Sequence, residues 1–596
     1  MAKLSITYEH TDLLAILSSD QSGSAWEAVR RVCEDYSDEV SVLSSTALQM
    51  PWWAFLGCRS AIGYYVSRFN MDLSLDDAAR SALENAAEQD SRISTAAKIP
   101  DLDQTATLKR LRGAGFERDL KAFQLRNVVK LARLPVGATF SVPGSGKTTE
   151  ALAFYVLQKQ AGSRLLVICP KNAFAAWEEQ LSECMPGYSH EFVRLTGGPI
   201  SIARILRDRN PYLMLITYQQ FLTISSLITA YLHRFDSFIF LDESHRIKRG
   251  VDGKIANAIL RAAPVARGRL VMTGTPLPNS ISDLVPQIKF LTPQAVIDED
   301  SVEAFIKPIY VRTRKSELDL PDIKRIQLPI SMTPGQRRLY QLMRSELARQ
   351  MSEFITQRDR LLLRQMGRSA LTLLQFASNP ALLGKRDFAH AELLADVLDE
   401  GDSPKVEYAC KRARMLAKQG RKTIIWSSFV ENVEVISARL VDLGADYIHG
   451  GVEASSDFDE DSREAKIRTF HDDPHAFVLV ANPAACGEGI SLHTVCHNAI
   501  YVDRTYNAAQ YLQSEDRIHR IGLKPTDVTY VEILCCSDSV DESVERRLRS
   551  KIAQMARVLD DEDLNIAPIP LDPDDLALDD DDFSDFLTHI LAEAAI

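Results

Sequence analysis

The feature that most restricts the fold is a series of short apolar runs separated by stretches of helical length. Leu165-Leu166-Val167-Ile168, Leu213-Met214-Leu215-Ile216, Phe238-Ile239-Phe240-Leu241 and Leu270-Val271-Met272 form a first set. Thr423-Ile424-Ile425-Trp426, Phe477-Val478-Leu479-Val480 and Ala499-Ile500-Tyr501-Val502 form a second. A run that is apolar throughout fits a strand covered on both faces, as in a parallel sheet wrapped by helices. The pattern predicts an α/β chain with two parallel-sheet domains. Between the two sets, Thr333 to Gly401 is rich in Arg, Leu and Gln and carries no strand signal, which predicts long helices. The first hundred residues are also predicted helical. Trp26, Val29, Cys33 and Tyr36 recur at helical spacing, and Ser74 with Asp77 resembles a helix start ahead of Ala78-Ala79. Trp52-Trp53-Ala54-Phe55-Leu56 is assigned to a core. The expected segments are an N-terminal helical region over 1–115, a first α/β domain over 116–325, a helical insertion over 326–404, a second α/β domain over 405–558 and an acidic tail over 559–596.

With 45% hydrophobic and 25% charged residues among 596, the composition excludes a largely disordered, collagen-like or disulfide-scaffold protein. No apolar stretch approaches the ~18 residues that cross a bilayer. The start, Met1-Ala2-Lys3-Leu4, lacks the apolar core of a secretion signal, so a cytoplasmic, nucleoid or nuclear location is expected and no membrane partner. The net charge of −12 is local. From Asp560 onward there are 13 acidic residues and no Lys or Arg; setting them aside leaves 68 acidic against 69 basic residues, a body charge of +1. A neutral average is compatible with a basic groove. Nine cysteines without a Cys-x-x-Cys pair indicate neither a disulfide framework nor a zinc site, and the grouping of Cys486, His493, Cys496 and His497 is read as packing around a strand.

Three motifs carry chemistry. Gly144-Ser145-Gly146-Lys147-Thr148 lies between an apolar segment and a helical one. Glycines there let backbone N–H groups close around phosphate oxygens at a helix start, Lys147 supplies a point charge for the β- and γ-phosphates, and the Thr148 hydroxyl suits magnesium. Ser141 stands where the full phosphate-loop pattern has its first glycine. Asp242-Glu243-Ser244-His245 directly follows the run Phe238–Leu241, at the C-terminal end of a predicted strand, where it can face the phosphate loop. Asp242 is the candidate magnesium ligand, directly or through water, and Glu243 the group that polarises the attacking water. Third, Gln513-Ser514-Glu515-Asp516-Arg517-Ile518-His519-Arg520-Ile521-Gly522 places Arg517 and Arg520 three apart, on one face if the segment is helical. Such a pair suits transition-state charge on a γ-phosphate.

These residues together resemble helicase superfamily 2, and within it the Swi/Snf-type double-stranded DNA translocases. The resemblance runs in order from about Leu120 to Lys551. Leu120-Lys121-Ala122-Phe123-Gln124 is similar to the segment whose Gln contacts adenine, and Val142 to Thr148 to the phosphate loop. Cys169-Pro170 with Trp177, Thr217-Tyr218, Asp242 to His245, and Thr273-Gly274-Thr275-Pro276 with Asn279 follow. Val311 to Lys315, Leu320-Pro321 and Gln375 to Pro380 resemble the connector. Lys405, Trp426-Ser427-Ser428-Phe429, Gly450-Gly451 and Gly487 to Leu492 (the motif linking DNA contact to nucleotide state, with Gly489 on the nucleotide side) come next, and Gln513 to Gly522 is the most specific match. The 146 residues between Pro276 and Thr423 fit the family's helical insertions. The resemblance implies two RecA-like domains with ATP and Mg2+ between them and double-stranded DNA as partner. Gln513 joins Lys147, Asp242, Glu243, Arg517 and Arg520 in the catalytic set. Gln124, Gly144, Ser145, Gly146, Lys147, Thr148 and Gly489 would bind nucleotide, Thr148 and Asp242 metal, and Thr217 and Lys171 DNA. The family usually carries Leu or Met where Pro143-Gly144-Ser145 stands, and smaller or apolar residues where Cys486 and Glu488 stand. The length suggests a compact bacterial or viral member. Alternatives are a remodeller of RNA, forked DNA or a polymerase complex, and a non-catalytic DNA-binding scaffold. The N-terminal region and the tail are candidate protein-docking segments.

Overall fold

The structure, a computed structural model, describes the chain except residues 1, 10–12, 38, 96–97, 248–252, 278–279, 294, 296, 298–299, 355–359, 385–387, 452–461, 487–490, 562–563 and 565–596. Side chains at 89–90, 92–94, 350–354, 360–368, 486 and 508–509 are also outside the description. The chain divides into two units, Met1–Glu317 and Leu318–Ile596.

The first unit opens with a sheet where helices were expected. Strands β1 (Lys3–Glu9), β2 (Leu14–Ser19), β3 (Ser41–Ser44), β4 (Ala47–Pro51) and β5 (Asp72–Leu75) line up in the order β3-β4-β2-β1-β5. The physical reason is a period-two pattern: Leu4, Ile6 and Tyr8 are buried while Lys3, Thr7 and Glu9 face solvent, and Ala15 and Leu17 repeat it on β2. Helices Ser24–Tyr36, Trp52–Arg68 and Asp77–Ser94 accompany the sheet. Trp26, Val29 and Cys33 share the buried face of the first of these helices, and Trp52 to Leu56 are buried at the start of the second. Ser74 does not begin a helix. It pairs with Ser5 in β5, and the cap of Asp77–Ser94 is Asp76, whose Oδ1 accepts the Ala79 N–H at 2.7 Å.

The rest of this unit is a seven-stranded, all-parallel sheet: β6 (Val136–Thr139), β7 (Arg164–Ile168), β8 (Phe192–Arg194), β9 (Leu213–Ile216), β10 (Ser237–Asp242), β11 (Gly268–Met272) and β12 (Tyr310–Val311), in the order β12-β6-β11-β10-β7-β9-β8. All four apolar runs of the first set are strands, and β7, β9 and β11 are buried at every position. From β6 the chain crosses to β7, builds outward to β8, then returns to fill the gap with β10 and β11. The loops after β6, β11 and β10 therefore leave neighbouring C-terminal strand ends, where α/β sheets place their sites. The N-terminal layer is tied to this sheet by Arg261 Nε donating to Glu39 at 3.0 Å and by Lys289, 4.9 Å from the Tyr36 ring centre.

The second unit holds a six-stranded parallel sheet: β13 (Ile323–Ile330), β14 (Lys422–Trp426), β15 (Asp446–Ile448), β16 (Val478–Ala481), β17 (Cys496–Tyr501) and β18 (Thr529–Cys536), in the order β13-β18-β17-β14-β16-β15. β13 pairs with β18 over eight residues. The boundary expected at 325/326 thus falls inside a strand of this sheet, and the helical insertion departs from the unit after β13. The insertion comprises the helices Pro334–Phe354, Arg360–Ser378 and Ala391–Asp399, in line with the absence of strand signal there. Helix Val540–Val558 closes the described part, and the tail beyond Leu564 lies outside the described residues. Among the described residues, no helix is long and apolar enough to cross a membrane.

Candidate active site

The loop after β6 turns tightly into the helix Lys147–Gln158. Gly144 and Gly146 have φ of 83° and 88°, and Gly146 occupies the N-cap position. A Cβ on Gly146 would lie 2.3 Å from Gln124 Nε2, so both its backbone angle and its surroundings require glycine. Gln124 is buried and fastens the loop: its Nε2 donates to the Ser145 carbonyl at 2.9 Å, while its Oε1 accepts the Lys121 N–H at 3.0 Å and caps its own helix, Ala122–Leu131. One amide hydrogen and one lone pair remain for a ligand. Lys147 Nζ donates to the Ser141 carbonyl at 3.1 Å. Ser145 Oγ is buried without a hydrogen-bond partner, an orphaned hydroxyl in a cradle of backbone amides.

Beneath the loop lies a buried polar network that the sequence did not announce. Asn127 Nδ2 donates to Glu150 Oε1 at 2.9 Å and to Thr313 Oγ1 at 2.9 Å, and Thr139 Oγ1 donates to Glu150 Oε2 at 3.2 Å. Ser141 Oγ accepts the Thr313 N–H at 3.0 Å and lies 3.2 Å from Thr139 Oγ1. This accounts for serine at the position where the pattern has glycine: its hydroxyl ties the loop to Thr313, 172 residues later. Burial pushes the Glu150 carboxyl up to about 8, against the opposing pull of the Asn127 and Thr139 bonds and the Lys147 charge. The one local signal was an acid in a stretch that is otherwise apolar, Ala151-Leu152-Ala153-Phe154.

The acid pair stands at the end of β10 as expected. Trp177 Nε1 donates to Asp242 Oδ2 at 2.9 Å, and the Tyr218 hydroxyl donates to the Asp242 carbonyl at 2.8 Å. Glu243 has a φ of 54°, a left-handed conformation uncommon for a residue with a Cβ, and strain of this kind gathers at functional sites. Its Oε2 lies 3.2 Å from His245 Nδ1 and accepts from Thr273 Oγ1 at 3.3 Å; His245 Nδ1 is 3.0 Å from Thr273 Oγ1. Burial alone would raise the Glu243 carboxyl, but the bond to His245 and the charges of His245, Lys147 and Arg246 outweigh it and hold the group at about 2. The Glu243 carboxyl is thus favoured in its charged form, within the field of Lys147. Gly144 to Thr148 thus follow β6 and Asp242 and Glu243 stand at the end of β10, with β11 between the two strands in one sheet, and Gln124 joins the loop from helix Ala122–Leu131. Thr217 caps the helix Tyr218–Leu232, its hydroxyl accepting the Gln220 N–H at 3.2 Å, and Lys171 is exposed just after β7.

In the second unit the arginine pair is placed differently from the expectation. Helix Ala508–Glu515 ends before either residue; Arg517 lies in the turn that follows and Arg520 in a bend beyond it, rather than on the face of one helix. Residues at and beyond the end of this helix bond to the segment around β13. Glu515 accepts Arg325 Nε at 2.8 Å and Nη2 at 2.6 Å, and His519 Nε2 lies 2.8 Å from the Pro321 carbonyl. Gly522, at φ 111°, ends the turn against His493, which a Cβ would meet at 2.7 Å. Arg517 Nε donates to the Gln513 carbonyl at 2.9 Å, which brings these two candidates together, and Gln513 is itself buried. Burial lowers the Arg520 guanidinium, opposed by Asp516. Cys496 is buried, its Sγ 3.4 Å from the Asn498 carbonyl. Gly489, Glu488 and Asn279 lie outside the described residues.

A glycine loop leading into Lys147 and an acid pair on one parallel sheet, with an arginine-bearing turn on a second, match a helicase-type nucleotide-hydrolase architecture. The SNF2-related domain family matches residues 140–377, and the helicase conserved C-terminal domain matches residues 404–522. An ISWI chromatin-remodeling complex ATPase of Arabidopsis thaliana is 24% identical over 451 residues, covering 70% of this chain and 40% of that protein. The mouse chromodomain-helicase-DNA-binding protein 1-like is 24% identical over 440 residues, covering 69% and 46%. The chain thus spans less than half the length of these relatives. A solved Sulfolobus solfataricus SWI2/SNF2 ATPase core in complex with double-stranded DNA aligns at 21% identity and a TM-score of 0.32, over 76% of this chain and 95% of that one. The chain belongs to the Swi/Snf-type ATPases of helicase superfamily 2.

Proposed function

We propose that this chain is an ATP-driven translocase on double-stranded DNA, moving along the duplex or displacing bound protein. The observation that carries the reading is the seating of Asp242 and Glu243 at the C-terminal end of β10, with Glu243 bonded to His245 and Thr273, in the same sheet whose strand β6 leads into the Lys147 loop. A carboxylate kept at about 2 accepts a hydrogen bond from water at neutral pH. The orphaned Ser145 hydroxyl and the amides around Gly144 and Gly146 suit phosphate oxygens. The hydroxyl of Thr148 and the carboxylate of Asp242 form the hard oxygen set that magnesium takes. Bound there, magnesium would offset the charge of the terminal phosphates. In this reading Lys147 exchanges its Ser141 carbonyl for a phosphate oxygen, Gln124 offers its remaining donor and acceptor to adenine, and Glu243 orients the attacking water. Gly489 belongs to the nucleotide set, and Gln513, Arg517 and Arg520 supply donors and positive charge to the hydrolysing state. Thr217 and Lys171 contact DNA. The relatives' printed descriptions as chromatin-remodelling and DNA-binding ATPases support DNA as the partner, and the N-terminal layer and tail are proposed to dock protein. An intracellular location, cytoplasmic, nucleoid or nuclear, goes with this reading.

The test compares ATP hydrolysis with duplex DNA, single-stranded DNA and RNA at one salt concentration, because phosphate contacts make binding strongly salt-dependent. Duplex DNA should stimulate most, and Lys147→Ala should abolish hydrolysis. Stimulation by RNA alone would refute the choice of substrate. A Lys147→Ala protein as active as the parent would refute the site, and a parent that binds DNA without hydrolysing ATP would leave the scaffold reading.

A further inference from the structure

Asp242, the acid assigned above to magnesium, is not held by its own strand alone. The Trp177 indole N–H donates to its Oδ2 at 2.9 Å, the Glu243 N–H reaches Oδ1 at 3.1 Å, and the Tyr218 hydroxyl fixes its carbonyl at 2.8 Å. Trp177 projects from the helix Phe174–Cys184 and is fully buried. It sits edge-on to Phe192, with ring centres 5.9 Å apart at 78°, within the same apolar cluster as Phe174, Leu181 and Leu215. Packing of that kind needs only a hydrophobic ring. The indole N–H, however, must find an acceptor once buried. Here the acceptor is the carboxylate that the site most needs oriented. Rotation of a carboxylate about its last torsion is otherwise broad, and a donor fixed in the core removes that freedom. The plane of the Asp242 carboxylate is then held by a group outside its own strand.

We propose that Trp177 is a positioning residue for the metal site, whose N–H fixes the plane of the Asp242 carboxylate and so sets the preference of the site for the magnesium–nucleotide complex over bare nucleotide. This rests on the nucleotide-hydrolysing reading of the site. Donors that orient a ligand in this way are typically worth about 10–100-fold in metal affinity.

The experiment uses the full chain in two altered versions. Trp177→Phe keeps an aromatic ring against Phe192 and loses the donor. A second version carries 3-benzothienylalanine at position 177, where sulfur replaces the N–H within the same bicyclic outline, and it decides the matter alone if the phenylalanine protein fails to fold. ADP binding is measured by calorimetry in EDTA and again with Mg2+, and the Mg2+ concentration that half-saturates ATP hydrolysis is read separately. Metal-free ADP affinity should be unchanged, while the strengthening by Mg2+ falls and the half-saturating Mg2+ rises about tenfold. A purely structural role would weaken metal-free and metal-bound nucleotide equally, and that result overturns the proposal. So does a rise of less than about threefold. A parent protein that binds no nucleotide overturns the functional reading and this inference with it; a parent strengthened by Mg2+ and matched by its altered versions overturns this inference alone.

Discussion

Replacing Glu515 asks how firmly the arginine turn is anchored. Glu515 is fully buried and takes three side-chain donors: Arg325 Nε at 2.8 Å, Arg325 Nη2 at 2.6 Å and the Tyr511 hydroxyl at 2.9 Å. Its backbone carbonyl accepts the N–H groups of Ile518 and His519, both at 3.1 Å, so the side chain and the turn that carries Arg517 move together. Burial alone would lower the Arg325 guanidinium, but the Glu515 carboxylate outweighs it and raises the group. Removing one partner of a buried pair costs about 3–5 kcal/mol, because the other charge is left uncompensated. The Arg325 side chain keeps 25% of its exposure and recovers some hydration, which places Glu515→Ala near the lower limit, about 3 kcal/mol. Glu515→Gln retains an acceptor for Tyr511 but turns an NH2 toward the guanidinium, and should cost about 2 kcal/mol. Compared with the single variants Arg325→Met and Glu515→Leu, the pair removes both charges and should restore most of the loss of either, a coupling energy of about 3 kcal/mol or more in the double-mutant cycle. Trp426 is the single tryptophan of the second unit, so its 19F signal in fluorotryptophan-labelled protein, followed through urea, reports this unit separately. A coupling below about 0.5 kcal/mol, with ATP hydrolysis unchanged in Glu515→Ala, would refute the idea that this pair seats the turn.

Glu243→Gln should bind ATP as the parent does while hydrolysis falls about 10²–10⁴-fold, the usual contribution of a positioned base; equal losses in binding and turnover, measured by calorimetry and phosphate release, would remove Glu243 from that role. Ser141→Gly restores the glycine of the common phosphate-loop pattern, yet it should destabilise the first unit by about 1–2 kcal/mol in urea unfolding, because the Thr313 N–H loses its acceptor. A gain in stability would show that the network beneath the loop holds nothing.

The parallel sheets were legible because their central strands are covered on both faces. Leu165 to Ile168 and Leu213 to Ile216 have no exposed face to interrupt the apolar run. Strands that escaped notice depart from that condition in identifiable ways. β13 lies at an edge, with Lys324, Ile326 and Gln327 exposed, so its residues alternate instead of forming a block. β18 contains Glu532, buried against Tyr408 and Arg412, which breaks an otherwise apolar stretch. β8, β12 and β15 are only three, two and three residues long, too brief for any periodicity to register. In the N-terminal layer the helical spacing of Trp26, Val29 and Cys33 is real, but it belongs to one helix lying on a sheet. The neighbouring alternation of Leu4, Ile6 and Tyr8 carries the competing period.

The site divides along a similar line. Lys147, Thr148, Asp242 and Glu243 stand out as candidates in a single sequence because phosphate and metal chemistry needs particular groups within a short stretch of chain. The groups that hold them are remote: Arg325 reaches Glu515 across 190 positions, Asn127 reaches Thr313 across 186, and Trp177 reaches Asp242 across 65. Nothing in the spacing of one chain selects these partners, since each pairing exists only after the sheet has brought separate segments together. The arginine turn shows the consequence. Judged locally, Gln513 to Gly522 can continue as a helix, and its two arginines would then share a face. In the structure the helix stops two residues before Arg517, and the stretch around that end is bonded to Arg325 through Glu515 and to the Pro321 carbonyl through His519. Reach and direction of both guanidiniums therefore depend on residues far outside the motif that names them, and altering Arg325 should disturb Arg517 more than altering Ser514 beside it.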